Sequence, residues 1–326
     1  MGQTVRVHPV TYRIPMKLRF RGITVRYGMV WRGPAGWAEW SPFLDYAGAE
    51  LVPWLRAAEE SAEQGWPEPV RDRIPVNATI PAVGPERAHR LAAASGCRTA
   101  KVKVAEPGQA PADDLARVAA VRDALGPDGR VRVDANGGWS VDEAEAALRE
   151  LHRHRLEYAE QPCRTVPELA ELRRRLRGSG ILIAADESIR RAEDPYRVAE
   201  LEAADIAVLK VQPLGGVRAA LQIADRIGLP VVVSSALETS IGLRAGVALA
   251  AALPELPYAC GLNTGPLLAD DLVARPLRAE DGMLPVAPLE PEPDRLDRLA
   301  AAPDEAEFWQ ARLMRTRALG RGGDDA

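Results

Sequence analysis

The feature that most restricts what this chain can fold into is a rhythm of charged residues closing short apolar runs. Lys103 closes the stretch that begins at Lys101, Asp134 closes 131–134, Glu160 closes 156–160, Asp186 closes 181–186 and Lys210 closes 205–210. Successive members lie 31, 26, 26 and 24 residues apart. A strand-plus-helix unit of a (β/α)8 barrel takes about 31 residues when ~250 are shared among eight units, and its functional groups project from strand C-termini. The rhythm therefore predicts an α/β fold of the (β/α)8 type, with five charges gathered at one mouth.

The first 72 residues do not share this rhythm. Positions 5–7, 18–20 and 22–26 alternate with the period of half-exposed strands, and Gly33-Pro34-Ala35-Gly36 is a turn before a further strand at 38–40. Leu51, Trp54, Leu55 and Ala58 set a helix over 50–65, while 13–21 reads as a loop. This part is expected to be an N-terminal α+β capping domain over 1–72. The barrel domain follows over 73–285, with strands at 75–80, 99–104, 131–134, 156–160, 181–186, 205–210, 230–234 and 258–262. Ser140 and Glu143 have capping-box spacing before a helix carrying Val141, Ala144, Leu148 and Leu151. Residues 286–326 form a C-terminal segment expected to pack on the capping domain, with a disordered tail from 320.

Composition narrows the function classes. The chain has 326 residues and a net charge of −4 with both signs interspersed, which leaves no electrostatic footprint for nucleic acid or a membrane surface. No window reaches the ~20 unbroken apolar residues of a membrane span, and residues 1–15 lack the apolar core of a signal peptide. Cys97, Cys163 and Cys260 are far apart and odd in number, so they read as reduced core residues of a cytoplasmic protein. The histidines, at 8, 89, 152 and 154, close no apolar run, which disfavours a His-built metal site or triad. A small carboxylate is the partner that remains; monomer and homo-oligomer are equally compatible with the chain.

The strand ends carry the chemistry. Lys101 and Lys103 are two apart on a strand and so face the same side. Lysine against the helix layer is unfavourable, which places both at the mouth. Asp134, Glu160 and Asp186 end three successive strands ~4.8 Å apart, and three ionised carboxylates at that range require positive charge among them. Mg²⁺, with Mn²⁺ as a substitute, takes carboxylate oxygens and leaves positions open. Lys210 falls across the ring from Lys103. Metal and lysines on both flanks suit removal of a proton next to a carboxylate, with the resulting enediolate stabilised by fixed positive charge. Asn136 is placed to hydrogen-bond a ligand or substrate. Ser234 and Ser235 end the seventh strand, either as receivers of a second carboxylate or as a helix N-cap. Arg132 shares the face of Asp134 and is expected inside the barrel as charge balance.

Taken in order, Lys101-x-Lys103, Asp134-Ala-Asn136, Glu160-Gln-Pro162, Asp186-Glu-Ser188 and Lys210 resemble the enolase superfamily, muconate-lactonizing subgroup, whose fold is a modified TIM barrel under an N-terminal cap. Ser234 stands where the mandelate racemase subgroup has a histidine. Phe20 to Arg26, Gly36 to Phe43 and Ser234 to Gly242 are similar to the o-succinylbenzoate synthase family within that subgroup. The resemblance implies Mg²⁺-dependent syn dehydration of 2-succinyl-6-hydroxy-2,4-cyclohexadiene-1-carboxylate to 2-succinylbenzoate, in menaquinone biosynthesis. It casts Lys103 as base, Lys210 as its opposed cation, and Asp134, Glu160 and Asp186 as metal ligands. Lys101 would support Lys103 or contact the substrate carboxylate, with Ser234 and Ser235 on the succinyl arm. N-succinylamino acid racemisation and dipeptide epimerisation use the same residues. Epimerases carry an Asp-x-Asp pattern where this chain reads Gly261-Leu-Asn-Thr-Gly265, which disfavours that variant.

Overall fold

The computed structural model describes residues 7–190 and 195–322. Strands β1 (Val7–Phe20) and β2 (Ile23–Arg32) form an antiparallel hairpin around Arg21 and Gly22, whose φ values are 50° and 76°. Two successive left-handed residues match the twist of a tight hairpin, and glycine takes the second position without a Cβ penalty. β1 is one long strand. Of residues 13–21, read above as a loop, 13–20 instead belong to this strand, 18–20 being the expected strand, and Arg21 to the turn; Tyr12 and Ile14 are buried, whereas Arg13, Pro15, Lys17 and Arg19 are exposed. Val5 and Arg6 of the expected first strand lie outside the described residues. β3 (Trp37–Trp40) joins the other edge of β2, and α1 (Leu51–Glu63) covers the sheet.

The barrel begins after β4 (Arg73–Pro75). Its strands are β5 (Ala78–Ile80), β6 (Thr99–Lys103), β7 (Arg130–Asp134), β8 (Leu156–Glu160), β9 (Ile183–Ala185), β10 (Ile206–Lys210) and β11 (Val231–Ser234). They stand side by side in chain order, each parallel to the next. Between them run α2 (Pro85–Ala93), α3 (Pro111–Leu125), α4 (Val141–Leu151), α5 (Val166–Arg175), the short α6 (Glu187–Arg190) and α7 (Arg197–Glu200), and α8 (Val217–Ile227). After β11 comes α9 (Ser240–Ala252). Strand residues such as Val102, Val133 and Leu209 pack with helix residues such as Leu148 and Leu169 in the principal core.

The eighth position differs from expectation. Residues 258–262 form no regular strand; Cys260 bridges to Val76 and Gly261 to Ser234, and these contacts close the ring. Pro257 offers no N–H to extend a ladder. Gly261 approaches Ser234 so closely that a Cβ there would lie 2.6 Å from the serine Oγ.

Register brings the charges together. Lys103 pairs with Asp134, and Asp134 with Glu160. Between Val131 and Val133 the partner strand advances from Leu156 to Ala159, one residue more, which marks a bulge in β8. The extra residue lets Glu157 reach Arg132 at 2.5 Å deep in the barrel while Glu160 still meets Asp134 at the mouth. Arg132 is fully buried, with its guanidinium 4.6 Å from the Tyr158 ring centroid.

β12 (Met283–Pro285) pairs with β4, and the chain then returns to the cap through α10 (Pro293–Arg298) and α11 (Pro303–Gly322). Trp309 and Leu313 of α11 enter the core that Trp40, Trp54 and Leu55 build in the cap. Arg312 donates to the carbonyls of Pro42, Phe43 and Tyr46. Residues 320–322, the start of the tail expected to be disordered, are placed in the last turn of α11. Residues 323–326 lie outside the described residues. Among those described, no helix is long and apolar enough to cross a membrane.

Candidate active site

Lys101 and Lys103, two residues apart on β6, both enter the mouth, and Lys210 enters from β10, four strands away in the ring. A cavity of about 880 Å³ opens there, bounded by the strand ends below and by Phe20, Arg21 and Phe43 of the cap above. Asp134 borders the cavity, and Glu160 and Asp186 lie beneath Lys101 and Lys210, which line it, each carboxylate 1% exposed. Asp186 stands one residue beyond β9, so its strand delivers it from a turn rather than from the ladder.

Every carboxylate is met by a cation. Lys101 Nζ is 2.5 Å from Glu160 Oε1 and 3.1 Å from Asp134 Oδ2, and Lys103 Nζ is 2.7 Å from Asp134 Oδ2. Lys210 Nζ is 2.5 Å from Asp186 Oδ2, while Arg190 Nε donates to Asp186 Oδ1 at 3.0 Å. Burial alone pushes Asp134 upward, but Lys101 and Lys103 outweigh it and hold the carboxyl below the usual range. At Asp186 burial is likewise outweighed, there by Arg190 and Lys210. Burial acts against the charge of Lys101 too, yet Asp134 and Glu160 keep it firmly protonated. Glu160 is the most basic of the three: burial pushes it up to about 7 against Lys101, with Asp134 and Asp186 adding repulsion. Lys210 is lowered, first by burial and then by Arg190.

The donor set fits a divalent cation in kind. Three carboxylates supply hard oxygen ligands, and Glu160 Oε2 is buried with no hydrogen-bond partner, a position a cation would satisfy. As placed, ammonium groups stand among the carboxylates. No three His, Cys, Asp or Glu side chains of the described residues are grouped so as to hold a metal. Lys101 and Lys210 thus carry the neutralising charge that a cation would share.

The other candidates also border the cavity. Asn136 accepts from Lys103 through Oδ1 and donates to Glu187 Oε1 at 3.1 Å. Ser235 Oγ is 2.7 Å from Thr264 Oγ1, and Ser234 Oγ is 3.5 Å from the Gly261 carbonyl. Neither serine caps a helix. Thr239 caps α9, its Oγ1 accepting from Ile241 N.

Sequence reasoning missed three supporting residues. Arg190 pairs with Asp186, and the i,i+4 spacing was a usable signal. Gln161 Oε1 accepts from Asp186 N at 2.9 Å and Ser188 N at 3.2 Å, tying the ends of β8 and β9 together. Gln212, two residues past Lys210, accepts from Ser41 N of the cap at 3.1 Å. Gln161 stands inside the Glu160-Gln-Pro162 motif, but buried amides follow no period, so nothing gave either glutamine its role.

Behind the cavity wall Glu238, 4% exposed, accepts from Ala236 N at 2.7 Å. Burial and then the nearby Glu39 push its carboxyl up to about 7. A carboxyl raised on folding contributes stability below its unfolded pKa and loses it as pH rises through the folded value. Thermal melts should therefore show wild-type stability falling between about pH 4.3 and 7. Glu238→Gln should flatten that fall and gain on the order of 1–3 kcal/mol relative to wild type at pH 8. Parallel profiles would contradict it.

Comparison with known proteins gives the following. Residues 85–292 match the family described as enolase C-terminal domain-like, and residues 11–62 the one described as enolase N-terminal domain-like. The o-succinylbenzoate synthase of Thermobifida fusca (strain YX) is 62% identical over 307 residues, which cover 94% of this chain and 95% of the relative. That of Mycolicibacterium smegmatis is 54% identical, covering 96% of each. Among solved structures, N-succinyl Arg/Lys racemase from Bacillus cereus superposes with a TM-score of 0.78 at 20% identity, over 91% of this chain and 98% of that one. Muconate lactonizing enzyme from Pseudomonas fluorescens gives 0.76 at 22%, over 90% and 98%. At such identities these two likenesses speak for the fold alone.

Proposed function

The chain belongs to the o-succinylbenzoate synthase family of the enolase superfamily, and from that membership we propose how its barrel mouth performs the family's dehydration. The enzyme is a hydro-lyase that converts 2-succinyl-6-hydroxy-2,4-cyclohexadiene-1-carboxylate to 2-succinylbenzoate, a step of menaquinone biosynthesis. Superfamily members use a divalent metal. For this chain the proposed ion is Mg²⁺, with Asp134, Glu160 and Asp186 as its holders. When bound, the ion draws charge from the substrate's ring carboxylate and so acidifies the neighbouring C–H.

The observation that carries the assignment is the opposition of Lys103 and Lys210 across a floor of buried carboxylates. Lys103 Nζ takes the proton from the carbon bearing the ring carboxylate. The same ammonium then returns a proton to the hydroxyl departing from the same face, so that one water leaves and the ring becomes aromatic. Lys210 supplies fixed positive charge from the opposite side while the carboxylate gains electron density. Lys101, held between Glu160 and Asp134, supports this floor and borders the substrate carboxylate. Asn136 orients Lys103, and Ser234 and Ser235 receive the succinyl arm.

In this reading 1–72 is the capping domain, 73–285 the barrel that carries the chemistry, and 286–326 a segment fastening onto the cap. Three buried thiols, Cys97, Cys163 and Cys260, support a reducing, cytoplasmic setting.

The test is an assay of purified protein with Mg²⁺ and the cyclohexadiene substrate, following the aromatic product in the ultraviolet. Rapid formation is expected. Its absence, together with α-proton exchange of N-succinyl amino acids in D₂O, would assign the same mouth to racemisation instead.

A further inference from the structure

The wall of the cavity beside the end of β11 is made by two parts of the fold. Phe43 comes from the cap, and Ala236 and Leu237 from the loop between β11 and α9. One residue outside the cavity holds all three. Arg26 of β2 is 2% exposed. Its Nε donates to the Leu237 carbonyl at 2.9 Å, and its Nη2 to the Ala236 carbonyl at 3.0 Å and to the Ser41 carbonyl. Nη1 donates to the Tyr27 carbonyl at 3.0 Å, and the guanidinium carbon lies 4.4 Å from the Phe43 ring centroid.

Leu237 needs such a clamp. Its φ is 61°, in the left-handed region that a side-chain-bearing residue enters at a cost of roughly 1–2 kcal/mol. A conformation of this kind persists where its surroundings over-determine it. Here Glu238 fixes the Ala236 N–H, and Arg26 fixes the two carbonyls that follow. A planar guanidinium can serve four carbonyls at set angles, whereas an ammonium offers at most three donors without a fixed plane.

We infer that Arg26 is a positioning residue for the dehydration: it locks Ala236 and Leu237 of the barrel against Phe43 of the cap and so shapes the wall that receives the succinyl arm. The inference rests on the reading of the site proposed above. Binding energy from a part of the substrate distant from the reacting carbon serves to orient that carbon, and a small displacement of the receiving wall loses it.

The experiment compares kcat and KM of wild type, Arg26→Met and Arg26→Lys on two substrates. One is the full substrate; the other carries an acetyl group in place of the succinyl arm. For Arg26→Met, kcat/KM on the full substrate should fall on the order of 10- to 100-fold, through kcat as well as KM, with a fall of no more than about threefold on the acetyl analogue. Arg26→Lys should lie between. A fall by the same factor on both substrates, or on neither, overturns the inference, because a merely structural role cannot distinguish the arm. If Arg26→Met does not melt cooperatively, Arg26→Lys carries the same comparison with the same two outcomes. Wild-type turnover with unchanged preference in the variants overturns this inference alone. Lack of turnover by the wild type overturns the underlying reading as well.

Discussion

Lys103→Ala should lower kcat by about 10³- to 10⁴-fold, the range carried by a positioned general base together with the acid it becomes. The fold should survive the change. Lys103 is the more exposed of the two lysines on Asp134, and Lys101 remains 3.1 Å from the same carboxylate oxygen. Asp134 therefore keeps a buried partner, so the melting temperature should move little. Removing one ammonium from the carboxylate floor also leaves divalent-cation affinity undiminished. Steady-state absorbance, a thermal melt and a calorimetric Mg²⁺ titration read the three parts separately. A variant within about tenfold of wild type would place the base elsewhere, since that lies below what such a base contributes.

The second large effect separates two carboxylates that look alike in sequence. Glu160→Gln should reduce kcat/KM by roughly 10²- to 10³-fold, because the proposed function makes Glu160 a cation ligand where several kcal/mol of charge stabilisation are at stake. Its metal-free stability should change little. Glu160 is the weakest acid of the three and has one oxygen without a partner, so a neutral amide resembles the state it already approaches. Asp186→Asn should lose turnover on a similar scale and also unfold more easily, by about 3–5 kcal/mol, the cost of leaving buried charge unpaired. The reason is local: Lys210 and Arg190 both rest on Asp186, and without its charge they repel each other. Chemical denaturation of the chelator-treated proteins measures the contrast. Equal stability losses in the two variants would contradict it.

The sequence made the five strand-end charges legible because a parallel barrel spaces its strand ends evenly, and a lysine or carboxylate there interrupts an apolar run. Other features left no such trace. The bulge in β8 adds a residue of ordinary composition, so its effect on Glu157 and Glu160 appears only in the register. The eighth barrel segment has apolar content but no ladder, since Gly261 meets Ser234 through backbone proximity. From sequence β1 reads as two short strands and a loop, because its exposed face carries Arg13, Lys17 and Arg19, which suit a loop as well as a sheet surface. Arg26 belongs to the same ambiguity. In a half-exposed strand an arginine reads as solvent-facing, and only tertiary structure buries it under the loop of Ala236 and Leu237. Arg190 was the exception, readable from its spacing to Asp186.

The most direct measurement strips the protein of divalent ions with a chelator and follows formation of the aromatic product before and after Mg²⁺ is restored, for wild type and Glu160→Gln together. The arrangement of Asp134, Glu160 and Asp186 predicts a silent stripped enzyme, full recovery of the wild type at low Mg²⁺, and little or no recovery of the variant. Equal turnover by the stripped wild type, or full recovery of Glu160→Gln at the same Mg²⁺, would contradict the assignment of these three carboxylates.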